Sequence, residues 1–204
     1  MDPTQRVIDA IPETLPNGRR FIIAIAGPPA AGKSTLARAL VERLDGRAGL
    51  LGMDGFHFDN GILDARGHRA RKGAPHTFDV ASYAMTLLSL REQPNTEMSV
   101  PVYDRGLSLS RNCASAVTTR HDIIVTEGNY LLLDSSPWRE LSALFDLTVQ
   151  IDTPLDVVEE RIRARWRAAE LSEEEIRRRT EENDLPNART VIENSSPSQL
   201  VVGP

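Results

Sequence analysis

The segment Gly27-Pro28-Pro29-Ala30-Ala31-Gly32-Lys33-Ser34 constrains this chain more than any other. It matches the pattern G-x-x-x-x-G-K-[S/T] in full. The apolar run Phe21 to Ala26 precedes it, and Leu36, Leu40 and Leu44 follow at helical spacing. A continuous apolar run is the mark of a parallel strand buried on both faces, so the local order reads strand, loop, helix. In that geometry successive backbone N–H groups and the N-terminus of the helix converge on a phosphate. Gly27 and Gly32 allow the backbone to wrap closely, and Ala30, Ala31 and Thr35 complete the cradle. Lys33 is expected to reach the outer phosphates and Ser34 to offer its hydroxyl to Mg²⁺. The chain has 24 basic residues, of which only Lys33 and Lys72 are lysine. A compact ammonium charge in a crowded phosphate site is one place where arginine cannot substitute.

The rest of the 204 residues alternates in the same manner. Further strands are predicted at Gly49 to Met53, Ile123 to Thr126, Leu147 to Ile151 and Gln199 to Val202. Helices are predicted at Ser34 to Leu44, from about Asp79 to Leu90, and from Pro154 onward, with a short leading helix carrying Val7, Ile8 and Ile11. This predicts an α/β fold of the P-loop NTPase kind, three layers deep with a mainly parallel sheet. Two β-prone pieces within Val100 to Arg120 suggest a hairpin projecting from it. One domain is expected over residues 1–204, with 1–20 as an N-terminal extension and about 155–183 as helices of a lid. Glu173, Glu174 and Glu175 stand four residues before Arg177, Arg178 and Arg179, which supports a helix there. Asn183-Asp184-Leu185-Pro186-Asn187 reads as a helix stop.

The longest apolar stretches fall far short of the roughly 20 residues needed to span a bilayer. Asp2, Asp9 and Glu13 interrupt the first twenty residues, which therefore do not resemble a secretory signal. A cytoplasmic location without a membrane partner is the expectation. A net charge of −5 speaks against a nucleic-acid partner. The single cysteine, Cys113, excludes an internal disulfide and is expected to be a small buried hydrophobe.

A phosphate loop serves switches, motors and kinases alike, so other residues must decide the reaction. A guanine-reading Asn-Lys-x-Asp motif is impossible with lysine only at Lys33 and Lys72, and no Leu-Ser-Gly-Gly signature exists. Glu127 ends the strand Ile123 to Thr126 and could help hold Mg²⁺. Asp54 ends the strand Gly49 to Met53. Ligands of open α/β sheets collect beyond the carboxyl ends of strands, where a carboxylate can take the proton of an attacking hydroxyl.

In these residues the chain resembles the P-loop kinases that include uridine kinase, bacterial type I pantothenate kinase and phosphoribulokinase. The likeness rests on Gly27 to Thr35, Met53-Asp54-Gly55-Phe56, Pro75-His76-Thr77-Phe78-Asp79, Val100-Pro101-Val102-Tyr103-Asp104-Arg105, Thr126-Glu127-Gly128 and Asn183-Asp184-Leu185-Pro186-Asn187-Ala188. Within the group it looks most like small bacterial proteins labelled fructose-transport-system kinases or fructokinases. The resemblance implies ATP and Mg²⁺ as cofactors and a small hydroxylated acceptor, a fructose-like sugar first, a nucleoside or pantothenate-like alcohol second. It also implies Asp54 as base, Lys33 and Ser34 as phosphate and Mg²⁺ ligands, and Glu127 as the second acid. Phe78, Asp79 and Tyr103 would line the acceptor pocket. His57, three residues after Asp54, is placed with them, with plain solvation as its competing reading. Uridine kinases have an aromatic residue where this chain has Arg105 and a pyrimidine-reading histidine near the position of Ser108. Arg105 would suit an anionic or strongly hydrogen-bonding acceptor.

Arg161, Arg163, Arg165 and Arg167 fall where these kinases keep a mobile lid. Arg161 and Arg165 share a helical face; Arg161 is expected on the nucleotide and Arg165 on the transferring phosphoryl group, with surface ion pairing as the alternative. A regulatory P-loop ATPase acting on a protein partner is the rival from another class. A homodimer is compatible with either.

Overall fold

The structure, a computed structural model, describes residues 2–203. In chain order its elements are α1 (Pro3–Asp9), β1 (Phe21–Ala26), α2 (Lys33–Arg43), β2 (Ala48–Gly52), α3 (Asn60–Ala65), α4 (Val80–Glu92), β3 (Met98–Asp104), β4 (Leu109–Val117), β5 (Ile123–Gly128), β6 (Leu147–Ile151), α5 (Leu155–Ala168), α6 (Glu173–Arg179), α7 (Leu185–Asn194) and β7 (Leu200–Val202). Five strands form a wholly parallel sheet in the order β2-β5-β1-β6-β7. β3 and β4 pair antiparallel as a separate hairpin, with a register break between Val100 and Val102, where Pro101 has no N–H to donate.

Every residue of β1 is buried, as its uninterrupted apolar run predicts. The pleat divides them between two cores. Ile22, Ala24 and Ala26 pack with Leu51, Tyr83, Leu87, Ile124 and Trp138 on the face that α4 covers. Phe21, Ile23 and Ile25 pack with Val7, Leu36, Leu40, Val125 and Val149 on the face that α1 and α2 cover. The result is the expected three-layer α/β architecture.

The strand order fixes the site. β5 lies between β2 and β1, and Glu127 is level with Gly52 on one side and Ile25 on the other. Three neighbouring strands therefore release their chains along one edge of the sheet: β1 into the phosphate loop, β2 into Asp54, and β5 at Glu127. Close packing holds that edge together. A Cβ on Gly128 would lie 2.5 Å from the Cβ of Met53, and one on Gly55 would lie 2.7 Å from the Pro101 carbonyl oxygen. Only glycine lets the three segments approach so nearly.

Three expectations are corrected. Asn183-Asp184-Leu185-Pro186 does not stop a helix: α6 runs into α7 through one widened turn, Thr180–Asp184, with Asp184 in helical conformation. Pro186 sits in the first turn of α7, and the Glu182 carbonyl that its missing N–H leaves free is taken by Arg71. Cys113 is exposed, on the outer strand of the hairpin at φ 51°, and does not belong to a core. The acid-to-base pairing around Glu173 is narrower than its spacing suggests, because Glu175 alone receives both Arg178 and Arg179. Among the described residues no helix is long and apolar enough to cross a membrane.

Candidate active site

Gly27 at φ 156° and Gly32 at φ 99° turn the loop between β1 and α2, with Ala30 at φ 60° between them. These are backbone angles that glycine adopts readily and an L side chain rarely does. A Cβ on Gly27 would stand 3.0 Å from the Ile151 carbonyl oxygen, so β6 closes the loop from behind. No side chain caps the N-terminus of α2, which leaves its first N–H groups directed at the loop interior.

Lys33 is buried, and its Nζ donates to the Pro28 carbonyl at 2.8 Å, folding back over its own loop. Ser34 donates its hydroxyl to Glu127 Oε1 at 3.1 Å. A hydroxyl and a carboxylate side by side, with Asp54 near them, form a set of hard oxygen donors that fits Mg²⁺ better than a softer metal. Burial and the neighbouring charge of Asp54 push the pKa of Glu127 up, against the pull of Lys33 and of the Ser34 hydrogen bond.

Burial also lowers the pKa of Lys33 to about 8, although Glu127 and Asp54 act to raise it. A phosphate chain favours the charged lysine, so binding takes up a proton wherever Lys33 is partly neutral beforehand. Nucleotide affinity is therefore expected to fall as pH rises through about 8, at up to about tenfold per pH unit, until the pKa in the complex is passed. Calorimetry of ADP binding in two buffers of different ionisation heat checks this: proton uptake should be clear near pH 8.5 and much smaller near pH 7. Equal affinity across this range would show that Lys33 is not the titrating grip.

Two cavities meet here. One, of about 300 Å³, is lined by Pro29, Ala30, Gly32, Lys33, Ser34 and Thr35 on the loop side and by Asn129 and Arg165 opposite. The other, of about 410 Å³, runs between Leu50, Gly52 and the hairpin residues Pro101 to Arg105, Arg111 and Ser115. Ser34, Arg38, Asp54, Arg105 and Glu127 line both. Arg105 reaches across to Asp54, 3.7 Å from its Oδ2, an exposed contact that a ligand could readily replace.

The four arginines of α5 separate clearly. Arg163 pairs with Glu159 and Glu181, and Arg167 with Glu173. Arg161 reaches only the Ala30 carbonyl, at 3.4 Å. Arg165 is the one of the four that lines the phosphate cavity.

Phe78 and Asp79 are not in the lining of either cavity. Phe78 is buried against Tyr130 and Trp138. Asp79 caps α4, accepting from the Ser82 N–H at 2.9 Å and its hydroxyl at 2.7 Å. His57 is not a solvated loop residue: its ring is stacked against Phe78 at 4.0 Å and Tyr103 at 4.6 Å between centroids, and its Nδ1 meets the Asp54 carbonyl at 2.8 Å. Burial lowers its pKa, although the nearby Asp54 charge acts to raise it. Tyr103, Arg105 and Glu127 line the larger cavity. Arg38 was not anticipated, although its place one helical turn after Ser34 puts both side chains on the same face of α2.

A model of the phosphoribulokinase and uridine kinase family matches residues 22–168. The chain belongs to that family. YggC of Escherichia coli K12, a protein whose activity is not characterised, is 34% identical over 195 residues, covering 93% of this chain and 80% of YggC. The protein C227.14 of Schizosaccharomyces pombe, provisionally named a uridine kinase, is 30% identical over 201 residues, covering 93% of this chain and 86% of its own. The crystal structure of a provisionally assigned fructose transport system kinase from Silicibacter sp. TM1040 superposes with a TM-score of 0.90 at 33% identity, covering 98% of this chain and 96% of that one. The chain is thus a kinase that phosphorylates a hydroxyl group, and the family implies ATP as its donor.

Proposed function

We propose that this kinase transfers the γ-phosphoryl group of ATP to a hydroxyl of a small sugar. The observation that carries the reading is the pair of adjoining cavities with Ser34, Asp54 and Glu127 on their shared border. A phosphate chain held by Gly27 to Thr35 would point its last group at that border. An acceptor in the larger cavity would present its hydroxyl there, within reach of the Asp54 carboxylate. Asp54 acts as the general base, Lys33 and Arg165 draw charge from the transferring group, and Arg161 steadies the nucleotide from the lid. Mg²⁺, held by Ser34 and Glu127, would neutralise phosphate charge when bound.

The larger cavity supports a sugar over a nucleoside. Tyr103 is the one aromatic residue in its lining, while Arg38, Asp54, Asp104, Arg105, Arg111 and Ser115 supply polar groups. One ring, already stacked on His57, offers no sandwich for a base. Hydroxyl-rich ligands match the rest. On this reading residues 1–204 act as one unit in the cytoplasm, with 155–183 as a closing lid.

ADP release from ATP and Mg²⁺, followed across fructose and other sugars, nucleosides and pantothenate, tests the reading. Turnover that depends on a sugar is expected. Turnover confined to nucleosides or pantothenate would overturn the sugar assignment, and ATP consumption stimulated only by a protein would overturn the acceptor site itself.

A further inference from the structure

The stretch Asn183 to Ala188 has no place in the chemistry so far, yet its side chains hold two parts of the molecule together. Pro186 has no N–H, so the Glu182 carbonyl four residues earlier lacks its regular helical partner. Arg71 takes that carbonyl through Nη1 and the Asn187 Oδ1 through Nη2, the latter at 3.1 Å. Asn183 donates to the Lys72 carbonyl at 2.9 Å and accepts from Asn187 at 3.3 Å. Lys72 in turn donates to Asn60 Oδ1 at 2.6 Å and the Ser108 carbonyl at 2.7 Å, at the tip of the hairpin that carries Tyr103 and Arg105. The α6–α7 turn is thereby pinned to the body of the protein.

Asp184, next in sequence, faces the other way. It is 8% exposed. Its Oδ2 accepts from Trp166 Nε1 at 2.7 Å and its Oδ1 from Arg165 Nη2 at 3.3 Å. The Arg165 guanidinium lies 4.7 Å from the Trp166 ring centre, and its Nε is buried without a hydrogen-bond partner in the protein. One end of the guanidinium is thus anchored, while Arg165 lines the phosphate cavity opposite Lys33. The widened turn Thr180–Asp184 is what brings the carboxylate to α5.

We propose that Asp184 is a positioning residue: anchored by Trp166 and by the pinned α6–α7 turn, it holds Arg165 against the site of the γ-phosphate. This rests on the reading that Arg165 meets that group. Arginine can rotate about several bonds, and a fixed carboxylate selects the arrangement in which its remaining donors face the phosphate.

The test needs no acceptor. Binding of ADP and of the non-hydrolysable triphosphate AMPPNP, both with Mg²⁺, is measured for the unaltered protein, Arg165→Ala, Asp184→Asn and the double variant. Arg165→Ala should cut the preference for AMPPNP over ADP by about tenfold or more. Asp184→Asn should reproduce most of that loss with ADP affinity unchanged, and add nothing in the Arg165→Ala background. Should Asp184→Asn fail to fold, Trp166→Phe removes the anchoring N–H while keeping an aromatic ring, and should give the same selective loss, about threefold. If Arg165→Ala leaves the preference intact, the reading of Arg165 fails. If Arg165→Ala lowers it but Asp184→Asn and Trp166→Phe weaken ADP and AMPPNP equally, or act additively with Arg165→Ala, Asp184 is merely structural and the inference is overturned.

Discussion

Asp54→Asn is expected to lower phosphoryl transfer by about 10²–10⁴-fold while leaving nucleotide affinity essentially unchanged. The substitution keeps shape and a hydrogen-bonding oxygen but removes the group that takes the acceptor proton. Asp54 lies beyond the end of β2, on the border of both cavities, with Arg105 beside it. The phosphate grip is made by a different segment, the loop after β1, so binding and transfer should separate. One coupling needs control. The Asp54 charge helps keep Lys33 protonated, so its removal weakens Lys33's hold on its proton. ADP affinity measured for both proteins at the same pH, near 7, distinguishes a lost phosphate contact from a lost base. The readout is acceptor-dependent ADP release with the best substrate from the panel, beside calorimetric binding of ADP. Transfer within a few-fold of the unaltered enzyme would remove Asp54 from the role of base.

The donor half of this site was legible in the sequence and the acceptor half was not, for a physical reason. The phosphate loop is local: Gly27 to Ser34 specify their own turn, and β1 and α2 on either side declare themselves by burial pattern within a few residues. The strand Ile123 to Gly128 is equally plain, and its terminal acid followed from the rule that ligands gather at carboxyl ends. That β5 inserts between β1 and β2, setting Glu127 beside Ser34, depends on pairings about a hundred residues apart that no short window contains. On the acceptor side the residue types were sound but their tasks were not. An aspartate before a helix can bind a ligand or cap the helix, and Asp79 caps it. A phenylalanine in a polar stretch can meet substrate or core, and Phe78 meets Tyr130 and Trp138. Asn183 to Asn187 looked like a stop because proline usually ends helices; tertiary partners, above all Arg71 on the freed carbonyl, let the helix continue.

The second large effect concerns a residue that the functional motifs do not include. Arg20→Met is expected to cost at least about 3 kcal/mol of stability, because several buried carbonyls lose their donor together. Arg20, immediately before β1, is fully buried and has no carboxylate partner among the described residues. Instead its five N–H groups face six backbone carbonyls, those of Leu90, Gln93, Pro94, Thr96, Thr118 and His121, at 2.8 to 3.2 Å, with the two hydrogens of Nη2 shared among three of them. Leu90 is in the last turn of α4, where helical carbonyls lack a partner in the helix, Gln93, Pro94 and Thr96 follow that turn, and the other two belong to the turn entering β5. A planar fork with five N–H groups can satisfy carbonyls spread around its rim; an ammonium with three cannot, so Arg20→Lys should recover only a minor part of the loss. Burial without a counter-charge lowers the arginine pKa, yet the carbonyl dipoles still make this the one side chain that suits the hole. Denaturant unfolding of the three proteins at neutral pH measures the difference, with an unchanged slope required for the midpoints to be compared. Because the two tied segments lead directly to the hairpin and to Glu127, Arg20→Met should also raise the acceptor KM at temperatures well below its melting point, whereas ADP affinity, set by the loop after β1, should hold. An unfolding midpoint equal to that of the unaltered protein would mean that those carbonyls find water or one another at little cost.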